Sequence, residues 1–186
     1  MAYRRMWDTK QLVVMALFCA LATLLSFIEF PLFPAAAFLK YDASMVPVMV
    51  GGFAYGAGPG IAIGIVAAAL HGLFLGDLPG AVMNMVVTVG YVLPAALIYQ
   101  KMHTRRGAIV GLAVGSVCAI AMALLGNLVI TPAYMGVPLE SVLAMVLPIL
   151  LPFNALKAVI NSVLTLLIYK SISNLITPKK DQVAGK

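Results

Sequence analysis

The sequence predicts an all-α integral membrane protein, a single membrane domain over residues 1–186 built as a compact bundle of six transmembrane helices. Three observations predict it. Hydrophobic residues make up 63% of the chain and charged ones only 10%, against about 25% charged in a soluble domain. The mean hydropathy is +1.06, an apolar excess that a globule of this size cannot keep from water. A spanning helix takes roughly 20 residues, so the length holds about six joined by short loops. These figures exclude a cytosolic enzyme, a disordered chain and a disulfide-rich secreted scaffold.

Each span has its own punctuation. Met1–Lys10 is short and basic, with Arg4, Arg5 and Lys10. It is read as a flank of span one rather than a signal peptide, because the apolar run behind it is too long for an h-region. Span one covers Gln11–Phe30 and stops at Pro31. Pro31–Asp42 holds two prolines and reads as a loop. Span two, Ala43–Tyr55, is short for a crossing, and Gly56–Gly60 reads as a tight turn. Span three is Ile61–Leu75, before the turn Gly76–Gly80; span four is Ala81–Gln100, with Pro94 as a kink. Lys101–Gly107 is a basic loop, Ala108–Ile130 is span five, and Thr131–Glu140 is a loop containing proline and glycine. Ser141–Leu151 reads as a partial helix leading into span six, Pro152–Ile176, and Thr177–Lys186 is a polar tail.

Charge decides the orientation. With six spans, one side holds ten of the twelve basic residues: Arg4, Arg5, Lys10, Lys101, Arg105, Arg106, Lys170, Lys179, Lys180 and Lys186. The positive-inside rule makes that side cytoplasmic and puts both termini there. Glu29, Asp42, Asp77 and Glu140 fall at the opposite face. The net charge of +6 is thus a topology signal and not a nucleic-acid footprint.

Polar groups at membrane depth are costly and need a reason. Asn154 and Lys157 are three residues apart and share a helix face. Together they can hydrogen-bond a polar ligand; alternatively Lys157 snorkels to the headgroups and Asn154 caps the helix. Asn127 and Asn84 have an equally ordinary reading as interhelical hydrogen-bonders. Taken together, Lys40, Tyr41, Asp42, Asn84, Asn127, Asn154 and Lys157 all map to the outer half, which predicts a pocket opening outward. Phe38, Tyr41, Phe74, Tyr134 and Phe153 lie at the same level, as pocket walls or as an interfacial aromatic belt.

Other chemistries find no support. The sequence has no P-loop, no His-Glu-x-x-His, no acidic pair within a span and no Gly-x-Ser-x-Gly. His71 and His103 stand alone, and Cys19 and Cys118 sit in apolar runs. Neither a metal site nor a proton relay assembles from them.

Two stretches, together with the six-span size and Ala16-x-x-x-Ala20, carry a family resemblance. They are Leu39-Lys40-Tyr41-Asp42-Ala43-Ser44-Met45-Val46-Pro47, and Asn127-Leu128-Val129-Ile130-Thr131-Pro132 followed by Pro152-Phe153-Asn154-Ala155-Leu156-Lys157. The chain resembles the substrate-binding (S) components of energy-coupling factor (ECF) transporters, and within them the riboflavin-specific members. The resemblance implies a subunit of a prokaryotic cell membrane that captures riboflavin outside. It would dock on a shared transmembrane scaffold protein and two cytoplasmic ATPases, which use the ATP and topple it inward. Ala16 and Ala20 would meet the scaffold, and the loop after span one would cover the pocket. Asn127, Asn154 and Lys157 would hydrogen-bond the isoalloxazine edge, with Leu39, Lys40, Tyr41 and Asp42 beside it; Asn84 and Tyr134 are added by depth alone. An S component for another vitamin (thiamine, folate or pantothenate), a small intramembrane lipid-modifying enzyme and a purely structural subunit remain the alternatives.

Overall fold

The computed structural model describes residues 7–176. Arg4, Arg5, Lys179, Lys180 and Lys186 of the orientation argument, and the tail Thr177–Lys186, lie outside the described residues.

Helix α1 (Thr9–Ser26) starts where the Asp8 carboxylate accepts the Gln11 N–H at 2.7 Å, satisfying one of the donors a helix start leaves open. It ends about a turn earlier than expected, and Glu29 falls in the connection beyond it. The expected loop contains a small antiparallel ladder, β1 (Phe30–Pro31) with β2 (Lys40–Tyr41), pairing Phe30 with Tyr41 and Pro31 with Lys40. A single 3-10 turn at Pro34–Ala36 fills the bend between them.

Helix α2 (Met45–Tyr55) is buried continuously from Met45 to Phe53. A helix apolar all round belongs inside other helices, and this one packs against α1 and against α3 (Ala57–Leu75), α4 (Leu78–Lys101) and α7 (Leu151–Ile176). The expected five-residue turn shrinks to Gly56, whose φ of 102° is open to glycine and strained for other residues. Helix α3 then begins at once. A Cβ at Gly60 would lie 2.6 Å from the Gly52 Cα, so α2 and α3 touch backbone to backbone.

Asp77 caps α4, accepting the Gly80 N–H at 3.0 Å, and the helix runs on through Pro94. Thr104 caps α5 (Arg105–Met135). Helix α5 passes through Pro132 and ends at Gly136, so the loop expected from Thr131 begins five residues later. A proline near a helix end frees only one carbonyl, and the remaining turn persists. Helices α4 and α5 form the most extensive pair; Cβ atoms at Gly111 and Gly115 would come 2.7 and 2.6 Å from the Ala95 and Tyr91 carbonyl oxygens. Helix α6 (Leu139–Met145) joins α7 through a π-helical turn at Val146–Leu150. Pro148 inside that turn and Pro152 just past it each lack an N–H and account for its loosened ladder.

Five of these units are long and apolar enough to cross a membrane: Thr9–Ser26, Ala57–Leu75, Leu78–Lys101, Arg105–Met135 and Leu139–Tyr169. Met45–Tyr55 is apolar but has 11 residues, about 16 Å of helix. Outward from the bundle point Leu17, Val117, Val129, Leu147 and Leu167, all exposed, as a lipid-facing surface requires. At the end where α4 meets α5, Phe53 stacks on Tyr99 (4.4 Å between centroids) and Tyr169 meets both edge-on. Lys101, Arg105 and Arg106 mark that end, and the β1–β2 ladder marks the other.

Candidate ligand-binding site

The β1–β2 ladder holds the segment Leu39–Asp42 against the first turns of α7. Tyr41 is buried and donates from its hydroxyl to Asn161 Oδ1 at 3.3 Å, while its ring meets Phe30 edge-on. Asp42 is buried too: Oδ1 accepts the Ser44 N–H at 2.9 Å and the Ser44 hydroxyl, and Oδ2 accepts from Lys157 Nζ at 3.0 Å. Burial by itself would push the Asp42 carboxyl up. The Lys157 charge and the Ser44 donors outweigh it and hold the carboxyl below its usual range. Lys157 therefore turns inward to a carboxylate and does not snorkel, and its Nζ also lies 3.5 Å from the Lys40 carbonyl. Lys40 itself is exposed and pairs with Glu29, a hydrogen bond that raises its pKa.

Helix α7 presents Asn154, Lys157 and Asn161 along one face, at positions i, i+3 and i+7. All three line one small cavity of about 30 Å³, with Met45, Val87, Tyr91, Ala119, Ile120 and Ala158 as the other walls. Asn154 Nδ2 donates to the Leu150 carbonyl at 2.8 Å, inside the π-helical turn, which leaves its Oδ1 for another partner. At the cavity floor the Tyr91 hydroxyl lies 2.6 Å from Ser162 Oγ, which lies 3.1 Å from Ser116 Oγ.

A second cavity of about 20 Å³ sits between α1, α2, α3 and α4, and Met45 lines both. Its polar walls are Ser26, Ser44, His71, Asn84 and Thr88. Ser26 Oγ donates to the Thr23 carbonyl, so the 3.0 Å contact with His71 is a donation from His71 Nδ1. His71 Nε2 then faces Glu29 Oε2 at 3.8 Å, and Phe27 stacks on the ring.

The structure brings Tyr41, Asp42, Asn154 and Lys157 together and leaves the other expected residues apart. Asn84 faces the second cavity. Asn127 is buried but satisfied along its own helix, donating to the Ala123 carbonyl and accepting from Thr131, each at 2.8 Å. Leu39 packs with Ala36, Val142, Leu150 and Phe153 in a separate apolar cluster. Tyr134 is 61% exposed, Phe38 and Phe74 are exposed too, and none of the three lines either cavity. Asn161 and Tyr91 also line the first cavity and are absent from the residues expected from sequence. The spacing from Asn154 through Lys157 to Asn161 is a sequence signal for the first; nothing in the sequence singles out Tyr91 among the aromatics.

Ala16 and Ala20 are exposed on the face of α1 opposite its buried residues Met15, Phe18 and Ala22. They are clear of both cavities.

The chain matches the family described as ECF transporter, substrate-specific component, over residues 10–169. It is 30% identical over 171 residues to the riboflavin transporter FmnP of Bacillus subtilis (strain 168), covering 86% of this chain and 90% of that one. It is 27% identical over 176 residues to the riboflavin transporter RibU of Staphylococcus aureus (strain TCH60), covering 91% and 93%. Among solved structures, it superposes on the S component of a bacterial ECF transporter with a TM-score of 0.80 at 25% identity, covering 92% of this chain and all of that one. ThiT from Listeria monocytogenes shares the fold, with a TM-score of 0.66 at 15% identity, covering 90% and 97%. The chain belongs to the ECF transporter substrate-specific component family, and it is a transport component rather than an enzyme.

Proposed function

We propose that the chain is the riboflavin-binding subunit of an ECF importer. Its curated relatives are named riboflavin transporters over nearly their whole length. The observation that carries the reading is the convergence of Asn154, Lys157, Asn161 and Tyr91 on one cavity under the Lys40–Asp42 segment. A flavin ring edge offers carbonyls and ring nitrogens, and an ammonium beside an amide can both donate to and accept from it.

The protein is a multi-pass protein of a prokaryotic cell membrane. In the proposed arrangement the ladder end faces outside and the end bearing Lys101, Arg105 and Arg106 faces the cytoplasm, as the positive-inside rule requires. The short helix α2 counts as the sixth span, packed among α1, α3, α4 and α7, and the β1–β2 segment covers the pocket. Ala16 and Ala20 supply a small-residue face for the transmembrane scaffold protein, and two cytoplasmic ATPases supply the energy.

Purified protein tests the reading directly. It should co-purify yellow, or quench riboflavin fluorescence on titration. A colourless protein that ignores riboflavin and binds thiamine, folate or pantothenate would move it to another vitamin, and one that binds no vitamin would leave a structural subunit.

A further inference from the structure

We infer that His71 is a proton-operated clasp on the connection between α1 and α2: once protonated, it grips Glu29 and Phe27 and holds that segment shut. It acts through those two residues, as a positioning residue. The inference rests on the riboflavin reading only for what the segment covers, since the clasp itself is read without a ligand.

The hydrogen-bond geometry carries it. His71 is buried near the end of α3. The Ser26 hydroxyl gives its hydrogen to the Thr23 carbonyl at 2.7 Å, so His71 Nδ1 must donate to Ser26 Oγ at 3.0 Å. In the neutral imidazole the proton is then on Nδ1, and Nε2 is an acceptor. That bare nitrogen faces Glu29 Oε2, another acceptor, at 3.8 Å. Two acceptors gain nothing from each other. A second proton makes Nε2 a charged donor and turns the same contact into an ion pair. It also sets a cation on the face of Phe27, whose ring stacks on the imidazole at 5.9 Å between centroids. Glu29 can serve His71 without giving up Lys40, which is held by the other oxygen, Oε1. The carboxylate then joins β2 to α3.

No other charge competes for the ring. Helix α1 presents Ser26 to it, α2 presents Ser44 and Met45, and α4 presents Asn84 and Thr88, all uncharged. Of the other charges at this end, Asp42 is paired with Lys157, and Asp77 caps α4. Histidine is the side chain that ordinarily changes charge between pH 5 and 8. Acid outside the cell would thus tighten the clasp and slow ligand exchange in both directions.

Hydrogen exchange of residues 27–44, followed by mass spectrometry on the full ligand-free chain in detergent, reads the clasp. His71→Asn keeps an amide near Ser26 and removes the group that faces Glu29. The exchanging segment has the same sequence in both proteins, so its intrinsic rates cancel. It should exchange roughly threefold more slowly in wild type than in His71→Asn at about pH 5.5, and equally fast at about pH 8. In a Glu29→Gln background, His71→Asn should change nothing at either pH. Should His71→Asn fail to fold, the exchange ratio of Glu29→Gln to wild type carries the test and should rise toward acid. A ratio that is the same at both pH values, or one that survives Glu29→Gln, would overturn the inference. Riboflavin titration of the same samples keeps the two readings apart. A pH-dependent ratio in a chain that binds no flavin would leave the clasp standing and sink the riboflavin reading; flavin binding with a ratio indifferent to pH would do the reverse.

Discussion

Lys157 has its charged end inside the protein and its partner on another element, so replacing it has two effects. Lys157→Met removes a charge-assisted donor from the cavity and should weaken riboflavin binding by about 1.5–3 kcal/mol, roughly ten- to a hundredfold in Kd. Fluorescence titration measures this, and an unchanged Kd would show that the ammonium does not touch the ligand. The same substitution leaves Asp42 buried without its cation, which should lower the melting temperature. Asp42 also fixes a pH dependence. Because its pKa is depressed in the folded state, its contribution to stability is fully present above the ordinary carboxylate pKa. It is lost as pH falls through the lower folded value. The stability difference between wild type and Asp42→Asn should therefore stay constant from neutral pH down to about 4 and shrink only below that. A difference that fades between neutral pH and mild acid in thermal melts would mean that the carboxyl is not held down by Lys157.

At the scale of the elements, α1 has two faces with separate duties. Met15, Phe18, Ala22, Thr23 and Ser26 are buried, whereas Ala16 and Ala20 are exposed. Ala16→Phe with Ala20→Phe should therefore leave riboflavin affinity and thermal stability of the isolated subunit unchanged while abolishing co-purification with the scaffold protein and uptake. Lost binding in the isolated subunit would place that face in the fold's own packing instead. The helices themselves were largely legible from apolar runs and from the prolines and glycines between them. Their ends were not, because local sequence is a weak guide where tertiary contacts decide. Pro132 reads as a terminator, yet α5 continues to Met135. Ser141–Leu151 reads as a partial helix leading into span six, and α6 does run into α7, but through a π-helical turn that the local sequence does not specify. The Lys40–Tyr41 strand was invisible because its partner is a two-residue strand containing a proline. In the site, Lys157 was legible because a lone cation stands out in an apolar span. Asn127 stood out equally, but whether an amide is spent on its own helix depends on side-chain rotamers that no spacing reveals.

Across the whole molecule, the strap that bears Tyr41 and Asp42 occupies the approach to the cavity it would guard. The two cavities, about 20 and 30 Å³, have room for one or two waters each, far less than a three-ring flavin needs. The ligand can enter only if the walls part, and the movable wall is the Phe27–Ser44 connection. It is tied to α7 through side chains of one partner or both: Tyr41 to Asn161, Lys157 to Asp42 and to the Lys40 carbonyl, and Phe33 and Leu39 against Phe153. The helices behind it are locked by backbone contacts at Gly60, Gly111 and Gly115. Opening before binding slows association. Riboflavin should thus bind with a rate constant well below the diffusional ceiling of roughly 10⁸–10⁹ M⁻¹s⁻¹. Tyr41→Phe removes one tie while keeping the ring against Phe30. The hydrogen bond it deletes is worth about 0.5–1.5 kcal/mol, so association should speed up roughly two- to tenfold if the strap must lift. Stopped-flow quenching separates the possibilities. A wild-type rate already near the diffusional ceiling, unchanged in Tyr41→Phe, would mean that the ligand enters without lifting the strap, between the helices instead.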